Sequence, residues 1–332
     1  MKKKIIIPII IVVSIFILFF AVPLTIAKAI NDSIFKKRSE PDKEMLLSVD
    51  DFPNLKVENI YFSSSDNDKL TGYLYSSDTL TPKGVVIYAH GFGCGGSNHT
   101  MMFADYFVSN DYYYFTYDAT ANGVSEGSNQ KGLVTGVLDL DKAISCVKAN
   151  DKLKDFPIML LGHSWGGYSV GAILNMHSDI KAVCSISGFS NPNDQMIYSA
   201  KKNVPDFLID ISVPYMKLYD RLVFHSKYNL NVMDGLEKSN CKCMFIHSED
   251  DKTVSIKLGY NKYYEKYKDD PRFTFIRFES RAHGYIFLND DARIMANNHS
   301  KKGEPFDKDL YINGLDTTLF NQILEMYNNS IN

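Results

Sequence analysis

One short stretch constrains the fold of this chain more than any other: Gly162-His163-Ser164-Trp165-Gly166. It follows directly after an apolar run at 158–161 and precedes a helix-like segment at 168–177. A serine hydroxyl becomes a usable nucleophile when it is lifted clear of a sheet and placed beside a base. A sharp turn from strand to helix does this, and the two flanking glycines remove side chains that would collide in it. The following helix would also direct free N–H groups toward negative charge developing at the serine.

The apolar pattern on both sides of this turn predicts strands that alternate with helices. Two half-buried strands with alternating polarity form a hairpin, and the later strands are continuous apolar runs typical of strands covered on both faces. The predicted strands are 57–62, 70–75, 84–90, 112–117, 158–161, 180–186, 243–247 and 273–278. This order predicts an α/β fold, with a mostly parallel central sheet flanked by helices.

The alternation stops in one long segment, which divides the chain into parts. Residues 189–239 contain three prolines and several short helical patterns but no strong strand. The segment is also too long to be a simple crossover between two core strands. We interpret this insertion as a helical lid, between core segments 56–188 and 240–332. Residues 1–29 are interpreted as a transmembrane signal anchor, and the charged, mixed residues 30–55 as a juxtamembrane linker.

The N-terminal apolar run is long enough to cross a membrane. Residues 5–26 carry no charge, and at ~1.5 Å per residue they reach roughly 30 Å as a helix. A cleavable signal peptide is the alternative, because Ala27-Lys28-Ala29 resembles a cleavage site. We favour an uncleaved single-pass anchor, since the run exceeds the usual signal core of ~7–15 residues. The short basic tail, Lys2 to Lys4, places the catalytic domain outside the cytoplasm, or in the secreted fraction if the segment is cleaved.

Composition excludes several classes of partner and cofactor. The net charge of −3 gives no reason to expect nucleic acid as a partner. The five cysteines lack metal-ligand spacing, so no metal site is predicted. The glycine-rich turn at 90–96 does not meet the dinucleotide pattern in register, so no cofactor is predicted either.

Three loops that follow predicted strands carry the residues of a hydrolytic site. They contain Ser164, then the neighbouring pair Asp250 and Asp251, then His283. The carboxyl ends of parallel strands meet at one edge of a sheet, so these side chains can meet there. A nucleophilic serine needs a base, and the base needs an orienting acid. From the residues alone either aspartate can supply that acid.

Several segments together resemble the α/β-hydrolases over about residues 57–329, near the branch of serine aminopeptidase-like and lysophospholipase-like hydrolases. The matching pieces are His90-Gly91-Phe92, Asp118 with Gly123 to Gly127, Gly162 to Gly166, Ile246 to Val254, and Ala282-His283-Gly284. The chain order Ser, Asp, His is the one typical of that fold. The resemblance implies an α/β-hydrolase fold with a lid.

The resemblance also assigns roles to individual residues. Ser164 is the nucleophile, His283 the general base, and Asp251 rather than Asp250 the acid. The backbone N–H groups of Phe92 and Trp165 form the oxyanion hole. Three other histidines are expected to have structural roles: His90, His163 and His247.

These observations predict a serine hydrolase that cleaves a carboxylic ester or a related acyl bond through an acyl-enzyme on Ser164. The substrate is expected to be a small-molecule or lipid-like acyl compound, held against an apolar lid wall. The candidates for that wall are Tyr198, Tyr215, Met216 and Tyr219. A serine peptidase or amidase and an acyltransferase remain open alternatives, since they use the same residues. A catalytically inactive, membrane-tethered binding module is a further alternative.

Overall fold

Eight strands form a single sheet in the computed structural model, which describes residues 2–202 and 204–331. The observed strands agree closely with the predicted ones. They are β1 (Lys56–Ser63), β2 (Lys69–Ser76), β3 (Gly84–Ala89), β4 (Tyr112–Asp118), β5 (Ile158–His163), β6 (Ala182–Ile186), β7 (Lys242–Ser248) and β8 (Phe273–Phe278).

The sheet has the order β1-β2-β4-β3-β5-β6-β7-β8. The first pair is the predicted antiparallel hairpin, and β2 also runs antiparallel to β4. From β4 onward every neighbouring pair is parallel. The carboxyl ends of β3, β5, β7 and β8 therefore lie along one edge, and the predicted site residues follow these strands.

The most apolar strands lie in the middle of the sheet. All residues of β3 and β6 are buried, whereas most of the edge strand β1 is exposed. This arrangement follows from burial, because a strand covered by helices on both faces has no side chain that can reach water.

Helices cover both faces and build the insertion. They are α1 (Lys2–Phe16), α2 (Val22–Phe35), α3 (Met101–Val108), α4 (Thr135–Ala149), α5 (Trp165–Ala172), α6 (Pro192–Ala200), α7 (Asp206–Phe224), α8 (Val232–Lys238), α9 (Tyr260–Tyr267), α10 (Asp290–Lys302), α11 (Lys308–Ile312) and α12 (Thr317–Ile331). One core cluster lies under α4, α5, α8 and α9, and a second lies under α3, α10, α11 and α12. The predicted helical lid corresponds to α6, α7 and α8.

Helix α10 forms from a polar stretch of the sequence, residues 289–303, which carries no clear helical signal. Its ends explain why it forms. The Asn289 side chain accepts a hydrogen bond from the backbone N–H of Ala292, which caps the first turn. Gly303 adopts a left-handed conformation with φ of 66°, which ends the helix. Only Ala292, Ala296 and His299 of α10 are buried, so its sequence shows little apolar periodicity.

The N-terminal apolar run forms one continuous helix. A π-helical segment, Ile17–Ala21, joins α1 to α2. Within the described residues, Ile6–Phe35 is one helix long and apolar enough to cross a membrane, judged by length and composition. A signal sequence meets the same criterion. The helix extends past the predicted boundary at residue 29, and its last residue, Phe35, is buried in the core.

The segment after this helix is packed on the core, although its sequence is typical of a linker. We call residues 36–45 the strap. Arg38 fixes it, because its guanidinium donates hydrogen bonds to three backbone carbonyls of the loop after β4, those of Gly123, Ser125 and Gly127. Ser39 adds backbone hydrogen bonds to the same loop, at 3.0 Å to the carbonyl of Ala121 and at 3.3 Å from the N–H of Gly123.

The loop after β4 is also held by Asp139 of α4. This buried carboxyl accepts hydrogen bonds from the N–H (2.8 Å) and the hydroxyl (3.0 Å) of Thr120. Burial raises the pKa of Asp139 to about 7, against the lowering effect of those hydrogen bonds.

The shift at Asp139 predicts a pH-dependent stability. The folded chain keeps a proton on Asp139 that the unfolded chain releases near the usual pKa of 3.8, so the free energy of unfolding falls as the pH rises from about 4 to 7. We expect Asp139→Asn, whose amide can bond both groups of Thr120, to show a smaller fall in melting temperature between pH 5 and pH 8. Asp151→Asn is the exposed control. Equal falls in parent and Asp139→Asn would contradict this.

Candidate active site

Ser164 lies at the predicted turn between β5 and α5. Its backbone has φ of 57° and ψ of −113°, a strained conformation for a residue with a side chain. The serine N–H donates to the carbonyl of Ile186 at 2.8 Å, and the serine carbonyl accepts from the N–H of Tyr168 at 3.0 Å. These bonds hold the turn on both sides, so the strain at Ser164 is maintained by its surroundings.

The two glycines of the turn are required by close packing. A Cβ atom on Gly166 would lie 1.8 Å from the carbonyl oxygen of Ala89 at the end of β3. A Cβ atom on Gly162 would lie 2.3 Å from the carbonyl oxygen of Gly166. Helix α5 therefore starts directly against β3 and β5, and this contact sets the position of Ser164 at the sheet edge.

The structure brings Ser164, His283 and Asp251 into one hydrogen-bonded chain. The Ser164 hydroxyl lies 2.8 Å from Nε2 of His283, and Nδ1 of His283 lies 2.7 Å from Oδ2 of Asp251. In this arrangement Nδ1–H donates to the carboxylate, and Nε2 is free to accept the serine proton. The geometry is that of a nucleophile, a base and an orienting acid.

Asp251 is surrounded by donors. Its Oδ1 accepts from the N–H groups of Thr253 (2.8 Å) and Val254 (2.9 Å). Its Oδ2 accepts from His283 and lies 3.2 Å from Nε2 of His247. Burial alone would raise the pKa of Asp251, but the hydrogen bonds from His247 and His283 outweigh it and hold that pKa below its ordinary value. The carboxylate is therefore charged at neutral pH and can stabilise a positive imidazole.

Asp250 has a different place in the structure. Its Oδ1 accepts from the hydroxyl of Ser248 (2.6 Å) and from the backbone N–H of Ala282 (2.8 Å), next to His283. The same Ser248 hydroxyl accepts from the N–H of Arg281 at 2.8 Å. Asp250 and Ser248 thus support the loop that carries His283. Sequence reasoning did not identify this support.

The other three histidines lie near the hydrogen-bonded residues Ser164, His283 and Asp251 but take no proton from the serine. Nε2 of His90 accepts from the N–H of Ala119 at 3.0 Å. Nε2 of His163 lies 3.0 Å from the backbone carbonyl of His283, and burial lowers the pKa of His163 to about 3, so its neutral ring donates there. His247 bridges Asp251 and the carbonyl of Val254. All three positions are those of structural residues.

The residues expected to form the oxyanion hole lie beside Ser164. Trp165 is the first residue of α5, so its N–H belongs to the helical turn that has no partner within the helix. The Phe92 ring meets the Trp165 indole edge to face at 5.7 Å, and this contact holds the two backbone segments together. Among the described residues, no cluster of His, Cys, Asp and Glu is arranged to hold a metal ion.

Comparisons with known proteins agree with this fold. Residues 81–229 match the profile of the family described as serine aminopeptidase, S33. An esterase from Pyrococcus furiosus superposes with a TM-score of 0.61 at 16% identity, covering 89% of this chain and 100% of the esterase. An acylaminoacyl peptidase from Pyrococcus horikoshii superposes with a TM-score of 0.55 at 18% identity, covering 80% of this chain and 45% of the peptidase. The chain has the α/β-hydrolase fold.

A curated relative matches a smaller part of the chain. The quorum-quenching protein AidA of Acinetobacter baumannii is 27% identical over 146 residues, which are 43% of this chain. The match spans about half of the relative, 47% of its length.

A cavity of about 850 Å³ opens over Ser164 and His283. Its lining is mixed, with several charged side chains near the scissile position. The charged residues are Glu40, Asp42, Asp250, Lys252 and Lys301. The strap provides one wall and α10 another, so the lining includes Pro41, Met45, Asn297 and Ser300.

The wall formed by the strap and α10 was missed by sequence analysis. The strap looks like a linker because it is rich in charged residues and no periodic apolar pattern marks it. Its closeness to the catalytic loop is nonetheless tight, since a Cβ atom on Gly95 would lie 2.1 Å from the backbone nitrogen of Pro41. The available signal in the sequence is the glycine-rich turn at 90–96. Because it does not match a phosphate-binding pattern, its glycines indicate that another segment of the chain packs closely against it.

The four lid residues expected to form an apolar substrate wall do not line this cavity, and that expectation is corrected. Tyr215 and Tyr219, one helical turn apart, face the N-terminal helix instead. Met216 packs against the core. Tyr198 lies behind Lys252, with its hydroxyl 3.5 Å from the Lys252 carbonyl. The lid aromatics pack the lid on the body and on the helix.

The role of the strap as a cavity wall can be tested by removing the Arg38 side chain that fixes it. We expect Arg38→Ala to raise KM of the hydrolase by roughly tenfold, equivalent to about 1.4 kcal/mol, with kcat little changed. The three carbonyls that Arg38 binds would lose their donor, and the cavity wall would become mobile. Steady-state kinetics with a short ester checks this. Lys37→Ala, at an exposed neighbouring position, is the control and should leave KM unchanged.

Proposed function

We propose that this chain is a serine hydrolase that cleaves carboxylic esters through an acyl-enzyme on Ser164. The observation that carries the proposal is the unbroken chain of hydrogen bonds from Ser164 through His283 to Asp251. In the first step Oγ of Ser164 attacks the substrate carbonyl while Nε2 of His283 takes the serine proton. His283 then gives that proton to the leaving alcohol, and water, activated by the same nitrogen, releases the acid.

The transition state develops negative charge on the former carbonyl oxygen. In our proposal the N–H groups of Phe92 and Trp165 donate to that oxygen. Each donor of this kind is worth about 3–4 kcal/mol in transition-state stabilisation. The start of α5, directly after Ser164, adds the positive end of a helix dipole at the same place.

The cavity supports a substrate with a short acyl group and polar surroundings. Its lining carries carboxylates on the strap, an ammonium group on α10 and the charged pair Asp250 and Lys252 between them, and the lid aromatics lie outside it. A long alkyl chain would have to displace water from these charges, which is costly. We therefore propose that the acyl part is small, in place of the apolar acyl chain expected from sequence.

We also propose that the N-terminal helix stays attached and crosses a membrane once, with the catalytic body outside the cytoplasm. The length and composition of Ile6–Phe35 support a membrane-spanning helix. Its contacts with the lid support an uncleaved chain, because removal of residues 1–29 would take away Phe19 and Phe20, against which the Tyr215 side chain packs.

A series of p-nitrophenyl esters from acetyl to palmitoyl, hydrolysed by the full chain in detergent micelles, tests the reaction and the chain length. We expect the highest kcat/KM at acetyl or butyryl and a fall of at least tenfold toward the long esters. An optimum at palmitoyl would overturn the proposed short acyl group. Absence of turnover, together with labelling of Ser164 by a fluorophosphonate, would overturn ester hydrolysis in favour of amide cleavage or acyl transfer.

A further inference from the structure

Helix α7 of the lid leaves an apolar stripe exposed. The exposed fractions are 64% for Phe207, 65% for Ile211 and 57% for Leu222. At 100° per residue these three side chains lie within about 60° of one another around the helix axis. Leu208, 45% exposed, widens the stripe at its N-terminal end. A solvent-exposed helix normally places its apolar stripe against the core, so this one requires an apolar partner.

The same helix packs along the N-terminal helix. The hydroxyl of Tyr215 donates to the carbonyl oxygen of Phe19 at 2.6 Å, and its ring meets Phe20 edge to face at 6.5 Å. Pro23 has no N–H and cannot donate to the Phe19 carbonyl four residues before it. Tyr215 thus bonds a carbonyl that lacks its ordinary helical donor. The contact is specific to these two helices.

The contacts define the relative direction of the two helices. Tyr215 meets the N-terminal helix at Phe19 and Phe20, whereas Tyr219 shares a small cavity with Lys28, Asn31 and Asp32. Residue numbers rise together, so the helices run parallel. Phe207 and Ile211 then lie roughly 6–12 Å beyond Tyr215, on the side of the residues before Phe19. Residues 6–20 of that helix are exposed on every side.

Two apolar surfaces therefore lie side by side at the same level, and neither is covered by protein in the part of the chain that the structure describes. The acidic groups at the N-terminal end of α7 are paired, since Nζ of Lys201 lies 2.9 Å from Asp210 and 3.9 Å from Asp206. Pairing reduces the cost of bringing this end into an apolar medium. Lys217 and Arg221, which form no ion pair within the described part of the chain, lie in the C-terminal half of α7, where lipid headgroups would be.

From these contacts we infer that the N-terminal half of α7 inserts its Phe207–Ile211 stripe into the lipid bilayer that the N-terminal helix crosses. The inference rests on the proposed membrane anchor. The occupant is the bilayer, because the stripe is continuous with the surface that the bilayer would surround. The lid is then a membrane-embedded element.

Quenching of tryptophan fluorescence by brominated phosphatidylcholine tests this in vesicles that contain the full chain. Three single substitutions are compared, Ile211→Trp on the stripe, Val12→Trp on the N-terminal helix and Ile294→Trp on α10. Ile294 is a matched control, an exposed isoleucine on a helix away from the lid. Trp165 is buried and provides the background in the parent chain.

We expect the added fluorescence of Ile211→Trp and Val12→Trp to fall by half or more in brominated vesicles, with little change for Ile294→Trp. Quenching of Val12→Trp alone would overturn the inference and leave the membrane anchor standing. Emission from Ile211→Trp that is blue-shifted but not quenched would also overturn it, because a protein partner would then cover the stripe. No quenching at Val12 would overturn both the inference and the anchor.

Discussion

Replacing Ser164 by alanine is expected to lower kcat for ester hydrolysis by about 10⁴- to 10⁶-fold while leaving the fold intact. The substitution removes the nucleophile and one hydrogen bond to His283, but it adds no atoms to the tight turn. Residual activity would come from the oxyanion hole and substrate binding acting on water. Release of p-nitrophenolate measures the loss, and the mass of the fluorophosphonate adduct identifies the labelled residue.

Ser145→Ala is the matched control for this experiment. Ser145 is exposed on α4, where its hydroxyl donates to the carbonyl of Asp141 at 2.8 Å, far from the cavity. Its kcat and labelling should equal those of the parent chain. If Ser164→Ala kept more than one hundredth of the parent activity, or if the probe labelled another residue, the nucleophile would have to be reassigned.

Asp251→Asn is expected to lower kcat by about 10⁴-fold, whereas Asp250→Asn should lower it less than about tenfold. The Asp251 carboxylate accepts from Nδ1 of His283, and an amide nitrogen in its place would favour the wrong tautomer of the imidazole. Asp250 bonds the backbone N–H of Ala282 through one oxygen, and an asparagine side chain keeps an oxygen for that bond. Parallel measurement of kcat on one short ester compares the two directly.

The pair of neighbouring aspartates provides its own control, because both variants make the same chemical change one residue apart. Thermal melting shows whether either variant is unfolded. Equal losses in the two variants would contradict a unique role for Asp251. A larger loss in Asp250→Asn would indicate that the support of the His283 loop matters more than the charge beside the imidazole.

The central strands and the catalytic loops could be predicted because their signals are local. Each buried strand is a short apolar run, and the turn at Ser164 is marked by two glycines at fixed spacing. The order of Ser164, Asp251 and His283 along the chain then restricted the topology. The resemblance to α/β-hydrolases favours Asp251 over Asp250, and in the structure the Asp251 carboxylate lies beside the His283 imidazole.

The walls of the cavity could not be predicted, since their signals are not local. The strap is held by hydrogen bonds from Arg38 to backbone carbonyls. Because every residue has a backbone carbonyl, the sequence does not mark the ones that Arg38 binds. Helix α10 buries only a few small or polar side chains, so its apolar periodicity is weak. The aromatic side chains of Tyr215 and Tyr219 suggest an apolar substrate wall, but an aromatic residue packs equally well against another helix.

In the membrane-anchored chain that we propose, the strap joins two properties that are separate in most tethered proteins. A tether is ordinarily a passive length of chain, and a protease that cuts it releases an unchanged enzyme. Here the chain between Phe35 and Met45 is at once the connection to the apolar helix and a wall of the catalytic cavity. A cut in it would detach the catalytic body and open the cavity in the same event. The released form would then differ from the attached one in substrate selectivity as well as in location.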